Sequence, residues 1–594
     1  MPEIKYETAV NPLETSVFTG FGEKNLDFRT LARDVPCQHA CPARTDVPEY
    51  IRLIARGDLD GAYLVNQEDN VFPGVLGRIC SRPCEPACRH EWTNTRGPVM
   101  ICHLKRSAAD GKKRTAGPLP HWYPASGRKV AVVGGGPAGL TAARELCRFG
   151  HEVTVYEAEE VLGGVLSLGI PAFRLPRDVV QEEIQAILDN GVKAQVNSPG
   201  DSRKIARLAG ENDAVVVATG AWRPLGLELP GLPEGVAWSG FDFIRDYNLR
   251  RITRLDGDTL IIGGGFTAVD CVRAAKRLLG LDRGRSVMMY RRTEAQMSAS
   301  PEELVEIRAE GCGIESLAGP VAVKMKNGRL QSVTFIRNAL GEQKPGDKKP
   351  RITPLKGSEF ELPCRHLIVA IGQEPTLEIL PEGVKITGSH CTSRDNLFVT
   401  GDFSYGSLDV IHAVADGKEV AAVVDRFLTG EVRRTWRVRI QLEEDTGRLR
   451  DHDLHEPRHM PVRPVAERKG DEEVETGYGE EATDVNAWRC YLCNYKYEID
   501  QDKCIHCDWC IRVSPRRCIL RLSELMLDSD GAAVSWKETA VEDEATYIWI
   551  YSDQCIRCGN CIRICPTDAI SLRKLTIQDK LKNGACGCGP GCGG

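Results

Sequence analysis

Several features that mark other protein classes are missing from this 594-residue sequence. Its first residues, MPEIKYETAV, are polar and give no apolar core for an export signal. No run of about 18 uncharged apolar residues occurs, so no helix is expected to cross a bilayer. Positive charge is not in excess. The 77 Lys and Arg stand against 83 Asp and Glu, a net charge of −6, which excludes a chain built globally to hold nucleic acid or an anionic membrane. These absences predict a soluble, cytoplasmic protein. With 42% apolar and 27% charged residues the composition is ordinary for globular domains. The length allows about four domains of roughly 150 residues.

What the chain does have is 24 cysteines. Cys37, Cys41, Cys80, Cys84, Cys88 and Cys102 lie near the N-terminus. Cys147, Cys271, Cys312, Cys364 and Cys391 are scattered singly, and the remainder crowd toward the C-terminus. A secreted disulfide scaffold would be short and carry an export signal. Clusters with two- and three-residue gaps in a cytosolic-looking chain point instead to thiolates that hold metal, whereas the single cysteines read as small buried apolar residues.

The chain divides by texture. Residues 1–126 are predicted as a helical iron–sulfur domain, with apolar residues at helical spacing in Val47–Gly57 and Leu59–Gln67 and cysteines in Pro-rich loops. Alternating strands and helices follow over 127–430, in two similar units. Residues 431–486 are polar and charged and read as a linker. A Cys-dense ferredoxin module is expected over 487–575, and a Cys/Gly-rich tail over 576–594.

In KVAVVGGGPAGLTAAREL, Gly134, Gly136 and Gly139 form G-x-G-x-x-G between a strand and a helix. Such glycines let the backbone turn tightly against a pyrophosphate seated on the helix N-terminus. The next strand, HEVTVYEA, ends in Glu157, placed to bond the ribose hydroxyls of an adenosine half. Thr219 and Gly220 after the strand AVVVA, and Gly401-Asp402 at the end of LFVT, are further candidates to hold a flavin. Asp402 reads equally well as a helix cap. In DTLIIGGGFTAVDCVRAA, Gly263, Gly265 and Ala268 repeat the fingerprint. Arg291 and Arg292 close the following strand where an acid would serve NAD, and an Arg there suits a 2′-phosphate, so NADPH is favoured over NADH.

The run GGVLSLGIPAFRLP (Gly163–Pro176), with GGGPAGL, GGGFTAVD, YRRTEAQM and AIGQEP, resembles the glutamate synthase small (β) subunit family, which includes the FAD- and NADPH-binding part of dihydropyrimidine dehydrogenase. The resemblance covers roughly residues 35–430. It implies an α/β flavoprotein in which an NAD(P)H-binding Rossmann domain, 255–370, is inserted into a FAD-binding Rossmann domain, 127–254 and 371–430, with Gly164 and Arg174 among the cofactor-binding residues. Phe266 and Ser298 depart from the usual Asn and Pro of that family.

The same resemblance extends to Cys37-x3-Cys41-Pro and Cys80-x3-Cys84-Glu-x2-Cys88, the family's N-terminal iron–sulfur region. Relatives with two clusters there carry a further C-x-x-C before the equivalent of Cys37, which NLDFRTLARDVP lacks. One [4Fe–4S] cluster is therefore expected and a second, incomplete one stays open. The family pattern groups Cys41, Cys80 and Cys84, with the fourth ligand open among Cys37, Cys88 and Cys102. Zinc is the alternative, since it too takes four thiolates.

Cys555-x2-Cys558-x2-Cys561-x3-Cys565-Pro is the bacterial ferredoxin run, whose last cysteine serves the other cluster of a pair. Cys504, Cys507, Cys510 and Cys565 should therefore hold one cube. Cys555, Cys558 and Cys561 lack a fourth thiolate because Ser514 stands in its place. Ser514, Cys518, or one of Cys490 and Cys493 would complete that site, or it holds three irons. The expectation is about three [4Fe–4S] clusters, one N-terminal and two C-terminal.

A hydride carries two electrons, a cube one, and a flavin between them converts one into the other. The sequence thus predicts a FAD- and iron–sulfur-containing NAD(P)H oxidoreductase subunit, in a hetero-oligomer with a larger redox subunit or working with ferredoxin. Two other readings are the donor subunit of a glutamate synthase and, because of Phe266, a non-catalytic electron-transfer scaffold that has lost nicotinamide binding. A thiol–disulfide reductase would need a C-x-x-C beside the flavin, and residues 127–430 contain none.

Overall fold

A computed structural model describes residues 16–18, 23–25 and 35–582, except 93–95, 281–282, 345, 348, 469 and 528–532. The Cys586–Cys588–Cys592 tail lies outside them. At the centre is a five-stranded parallel sheet in the order Leu397–Val399, Ala214–Val217, Lys129–Val133, Glu152–Tyr156, Lys193–Gln195. Its strands KVAVV and AVVV are apolar throughout because both faces are covered. Val130 and Val132 enter one core with the helices Pro137–Arg148 and Val410–Thr429, and Ala131 and Val133 enter a second core on the opposite face. Leu397–Val399 comes from beyond the second unit in sequence yet pairs with Ala214–Val217, so one Rossmann unit interrupts the other, as expected.

The inserted unit has its own parallel sheet, in the order Gly313–Ser316, Ser286–Tyr290, Thr259–Ile262, His366–Val369, Trp238–Ser239. The edge strand Trp238–Ser239 and the helix Gly240–Asn248, whose Phe243, Ile244 and Tyr247 fill this unit's core, precede the expected boundary at 255. The boundary is corrected because the crossing chain adds a strand and a helix to the unit it is entering.

The N-terminal region is helical: Val47–Ala55, Leu59–Asn70, Pro73–Ile79 and Ile101–Gly111. Asp46 and Asp58 cap the first two, accepting from the amides of Glu49 and Gly61 at 3.2 and 2.8 Å. Gly77 lets the third and fourth approach closely, since a Cβ there would lie 2.7 Å from Arg106 Cα. In the C-terminal module the short helices Trp509–Val513 and Asn560–Ile564 lie side by side with two three-stranded antiparallel sheets. Among the described residues no helix is long and apolar enough to cross a membrane.

The expected linker 431–486 is corrected. Arg434–Glu443 is a strand paired along its whole length with Ile570–Leu581, which also carries the C-terminal module past the expected end at 575. The stretch that follows is strapped across the molecule. Val474 is buried in the core of the nicotinamide unit and its amide donates to Phe173 O at 2.9 Å. Glu473 accepts ion pairs from Arg78 at 2.8 Å and Arg106 at 2.9 Å, and Tyr247 donates to Asp471 at 2.6 Å. Its polar composition reflects these bonds to charged partners on several domains. Val474→Asp should therefore destabilise the flavoprotein portion by roughly 2–4 kcal/mol by burying an unpaired carboxylate. Thermal denaturation followed by flavin fluorescence checks this, and an unchanged Tm would show that the strap is not anchored there.

Candidate redox site

One continuous cleft of about 1920 Å³ lies between the two Rossmann units and is lined by both glycine turns. A Cβ on Gly134 (φ 112°) would sit 2.3 Å from Ala218 O, and one on Gly139 would sit 2.0 Å from Gly134 O, so the turn closes only with glycine at both positions. Gly136, Thr219, Gly220, Gly401 and Asp402 line the cleft beside it. Glu157 also faces the cleft; its carboxylate accepts the Gly135 amide at 2.7 Å and the Glu159 amide at 2.9 Å, and burial raises its pKa. Burial likewise lifts Asp402 to about 6, although it accepts the Leu408 amide at 3.1 Å. Gly164 holds φ 52° with its backbone against Gly136. This all-backbone cradle beside a helix N-terminus fits a dinucleotide pyrophosphate.

Arg174 lines the cleft but is held by Asp270 and Glu303 of the inserted unit, each at 2.8 Å. These ion pairs also join the two units. On the nicotinamide side, a Cβ on Gly263 would strike Ala370 O at 2.2 Å, while one on Gly265 would meet nothing within 4 Å and leave open space above the turn. Ala268 is fully buried behind it. Arg291 and Arg292 line the cleft together with Lys349 and Arg351, two cations that sequence reading missed because they lie some sixty residues further on, in the loop that leads into the strand Ile352–Pro354 of a separate antiparallel sheet. Phe266, 43% exposed, opens onto the cleft without filling the turn. No cysteine of the described residues lines it, and Cys147, Cys271, Cys312 and Cys364 are buried elsewhere.

Ile79 and Ser81 line the cleft and so bring Cys80, between them, to its wall. Ser81 donates to Asp409, the cap of helix Val410–Thr429. Cys102 lies beside Cys80, whose proximity lowers its pKa, and its Sγ donates to Leu76 O at 3.2 Å. Cys84 lies beside Cys41 and Cys102, and its thiol is raised by burial and then by those neighbours. Cys41, Cys80, Cys84 and Cys102 thus converge. Lys105 is buried among them and donates to Asn70 at 3.1 Å; burial opposes its charge, but the four sulfurs raise its pKa. Cys37 and Cys88 are set apart and line a separate small cavity that also contains Cys490 and Cys493.

In the C-terminal module Cys504, Cys507, Cys510 and Cys565 line one cavity. Cys518 hydrogen-bonds Cys555, drawing Cys555 down to about 5, and lies beside Cys561, which in turn neighbours Cys555 and Cys558. Cys518 thus occupies the fourth place left open in the sequence. Ser514 Oγ donates to Arg516 O and lies 3.3 Å from Cys518 Sγ, beside the group. Backbone amides point at sulfur in these groups, Arg82 N to Cys80 at 3.4 Å and Ala569 N to Cys565 at 3.3 Å. All-sulfur donor sets with N–H donors fit iron–sulfur cubes.

Residues 128–417 match the pyridine nucleotide-disulphide oxidoreductase family, 30–116 match dihydropyrimidine dehydrogenase domain II with its 4Fe-4S cluster, and 548–571 match a 4Fe-4S binding domain. The chain is 35% identical over 507 residues to the NADP(+)-dependent formate dehydrogenase subunit beta of Moorella thermoacetica, covering 77% of this chain and 70% of that one. It is 32% identical over 510 residues to the NADPH-Fe(3+) oxidoreductase subunit beta of Geobacter sulfurreducens, covering 77% and 75%. It is 31% identical over 428 residues to the small chain of the NADPH glutamate synthase of Azospirillum brasilense, covering 66% and 86%.

Lys105 supplies a buried positive charge beside the thiolates nearest the cleft. Lys105→Met should lower the midpoint potential of the cluster held there by about 100 mV, the order for one charge a few ångströms away through an effective dielectric of about 20. An EPR-monitored redox titration in which all potentials stay put would refute that role.

Proposed function

The chain belongs to the glutamate synthase small-subunit-like family of FAD- and NAD(P)H-dependent iron–sulfur oxidoreductases, and on that footing we propose that it is the NADPH-facing electron-transfer subunit of a larger redox complex. The observation that carries this reading is the single cleft shared by both glycine turns and walled by the residues flanking Cys80. With its cofactors bound, such a site would take an electron pair from nicotinamide as one hydride and release it as single electrons.

The protein's own part is placement. Gly134, Gly136 and Gly139 admit one pyrophosphate, and Gly263, Gly265 and Ala268 the other. The Arg174–Asp270–Glu303 bridge fixes the two units relative to each other. No side chain is asked to move a proton. Support for NADPH comes from the four cations at the end of strand Ser286–Tyr290 and in the loop before strand Ile352–Pro354. Arg292 is oriented by Pro350 O at 2.8 Å and Lys349 by Gln296 O at 2.7 Å. Relatives named as β subunits or small chains support a larger partner. The exposed Ile505 and Trp509 beside the Cys504 group supply an apolar contact for it.

Steady-state dye reduction tests the reading. Arg291→Ala/Arg292→Ala should raise KM for NADPH at least about tenfold, since each charge-assisted bond to a phosphate is worth about 1.5–3 kcal/mol, and leave NADH nearly unchanged. Equal losses with both nucleotides would contradict 2′-phosphate recognition, and no reduction by either would favour the scaffold reading.

A further inference from the structure

Eight cysteines account fully for the two groups of the ferredoxin module, and four for the group at the cleft wall. Of the clustered cysteines among the described residues, Cys37, Cys88, Cys490 and Cys493 are left, two from the N-terminal helical region and two from just before the ferredoxin module, and they line one cavity. We propose that these four thiolates bind a further [4Fe–4S] cluster, shared between the two ends of the chain. This goes beyond the proposed function and rests on its reading of the chain as an iron–sulfur electron carrier.

The backbone of Cys490-Tyr491-Leu492-Cys493 is already shaped for a cluster. Leu492 has φ 50°, in the left-handed region that non-glycine residues seldom adopt. His506 and Arg557, the corresponding residues of Cys504-x2-Cys507 and Cys555-x2-Cys558, have φ 53° and 54°. In all three the amide of that residue points back at the first cysteine's sulfur, at 3.4 Å for Leu492 N to Cys490. A merely structural C-x2-C pair has no reason to spend a strained residue on this geometry.

The surroundings suit the same group. The cavity is otherwise walled largely by apolar side chains such as Pro36, Val47 and Ile101. Cys493, Cys88 and Cys490 are the near sulfur neighbours of Cys37 within it. The seam is braced on both sides. Arg448 donates to Cys490 O at 2.7 Å and Ile556 O at 3.2 Å, Arg489 donates to Pro98 O at 2.6 Å, and Arg89 pairs with Asp553 at 3.0 Å.

Position gives the site its use. Cys37 packs in one core with Cys84 of the cleft-wall group, and Cys493 packs with Ile556 against Cys558 of the ferredoxin module. The shared site bridges these two groups. Its step is a one-electron relay, in which one electron arrives and one leaves and no bond is made or broken.

The test uses the full chain, purified anaerobically, with iron, sulfide, zinc and flavin counted and EPR spectra recorded after reduction. Cys37→Ser/Cys88→Ser and Cys490→Ser/Cys493→Ser are compared with the unaltered protein. The proposal expects about sixteen irons in the unaltered chain, four cubes of four. Each double variant should lose about four irons and the same EPR signal, with flavin retained. About twelve irons in the unaltered chain, stoichiometric zinc, or loss of different signals in the two variants would overturn it; the unaltered count decides even where a variant fails to fold. A chain without any iron would instead overturn the electron-carrier reading itself.

Discussion

Buried thiolates repel one another and are poorly solvated, so a fold that gathers them must also supply the charge that holds them together. This chain gathers them repeatedly, in groups of four, and places a buried lysine beside the group nearest the cleft. Much of the remaining architecture follows from that constraint. The N-terminal helices approach closely at Gly77 because Cys102, on one of them, must reach Cys80 at the end of another. In the C-terminal module a second thiol, Cys518, stands where the ferredoxin run has serine.

The flavoprotein core solves a different problem, that of holding two dinucleotides face to face. Both glycine turns open onto one cleft, and the crossing segment that enters the inserted unit also contributes an edge strand to it. The bridge from Arg174 to Asp270 and Glu303 fixes the angle between the units with charges shielded from solvent. The strap ending at Val474 and the strand pairing of Arg434–Glu443 with Ile570–Leu581 then tie the C-terminal module to the same body. A relay of redox groups needs that rigidity, because electron transfer depends on fixed separations.

What was legible in the sequence was what a few contiguous residues dictate. The G-x-G-x-x-G turns, the apolar strands and the ferredoxin spacing each depend on neighbours within a dozen positions, whereas the insertion of one Rossmann unit in the other came from the family resemblance. Partnerships made only by the tertiary fold were not legible. Nothing local tells Cys102 apart from Cys88 as the partner of Cys80, or joins Cys490 to Cys37. Lys349 and Arg351 reach the cleft from the loop before strand Ile352–Pro354, whose return could not be placed from sequence. The segment after Gly430 was read from its charge and proline content as a linker, although RTWRVRIQLE carries the two-residue alternation of a strand. Its charges proved to be partners for other domains.

The central claim is that nicotinamide, flavin and thiolate-bound clusters form one electrical path within this polypeptide. Anaerobic rapid mixing of the full chain with NADPH tests it most directly. The account predicts that flavin absorbance falls first and iron–sulfur absorbance then falls in the same turnover. A flavin that is fully reduced while the clusters stay oxidised would contradict it.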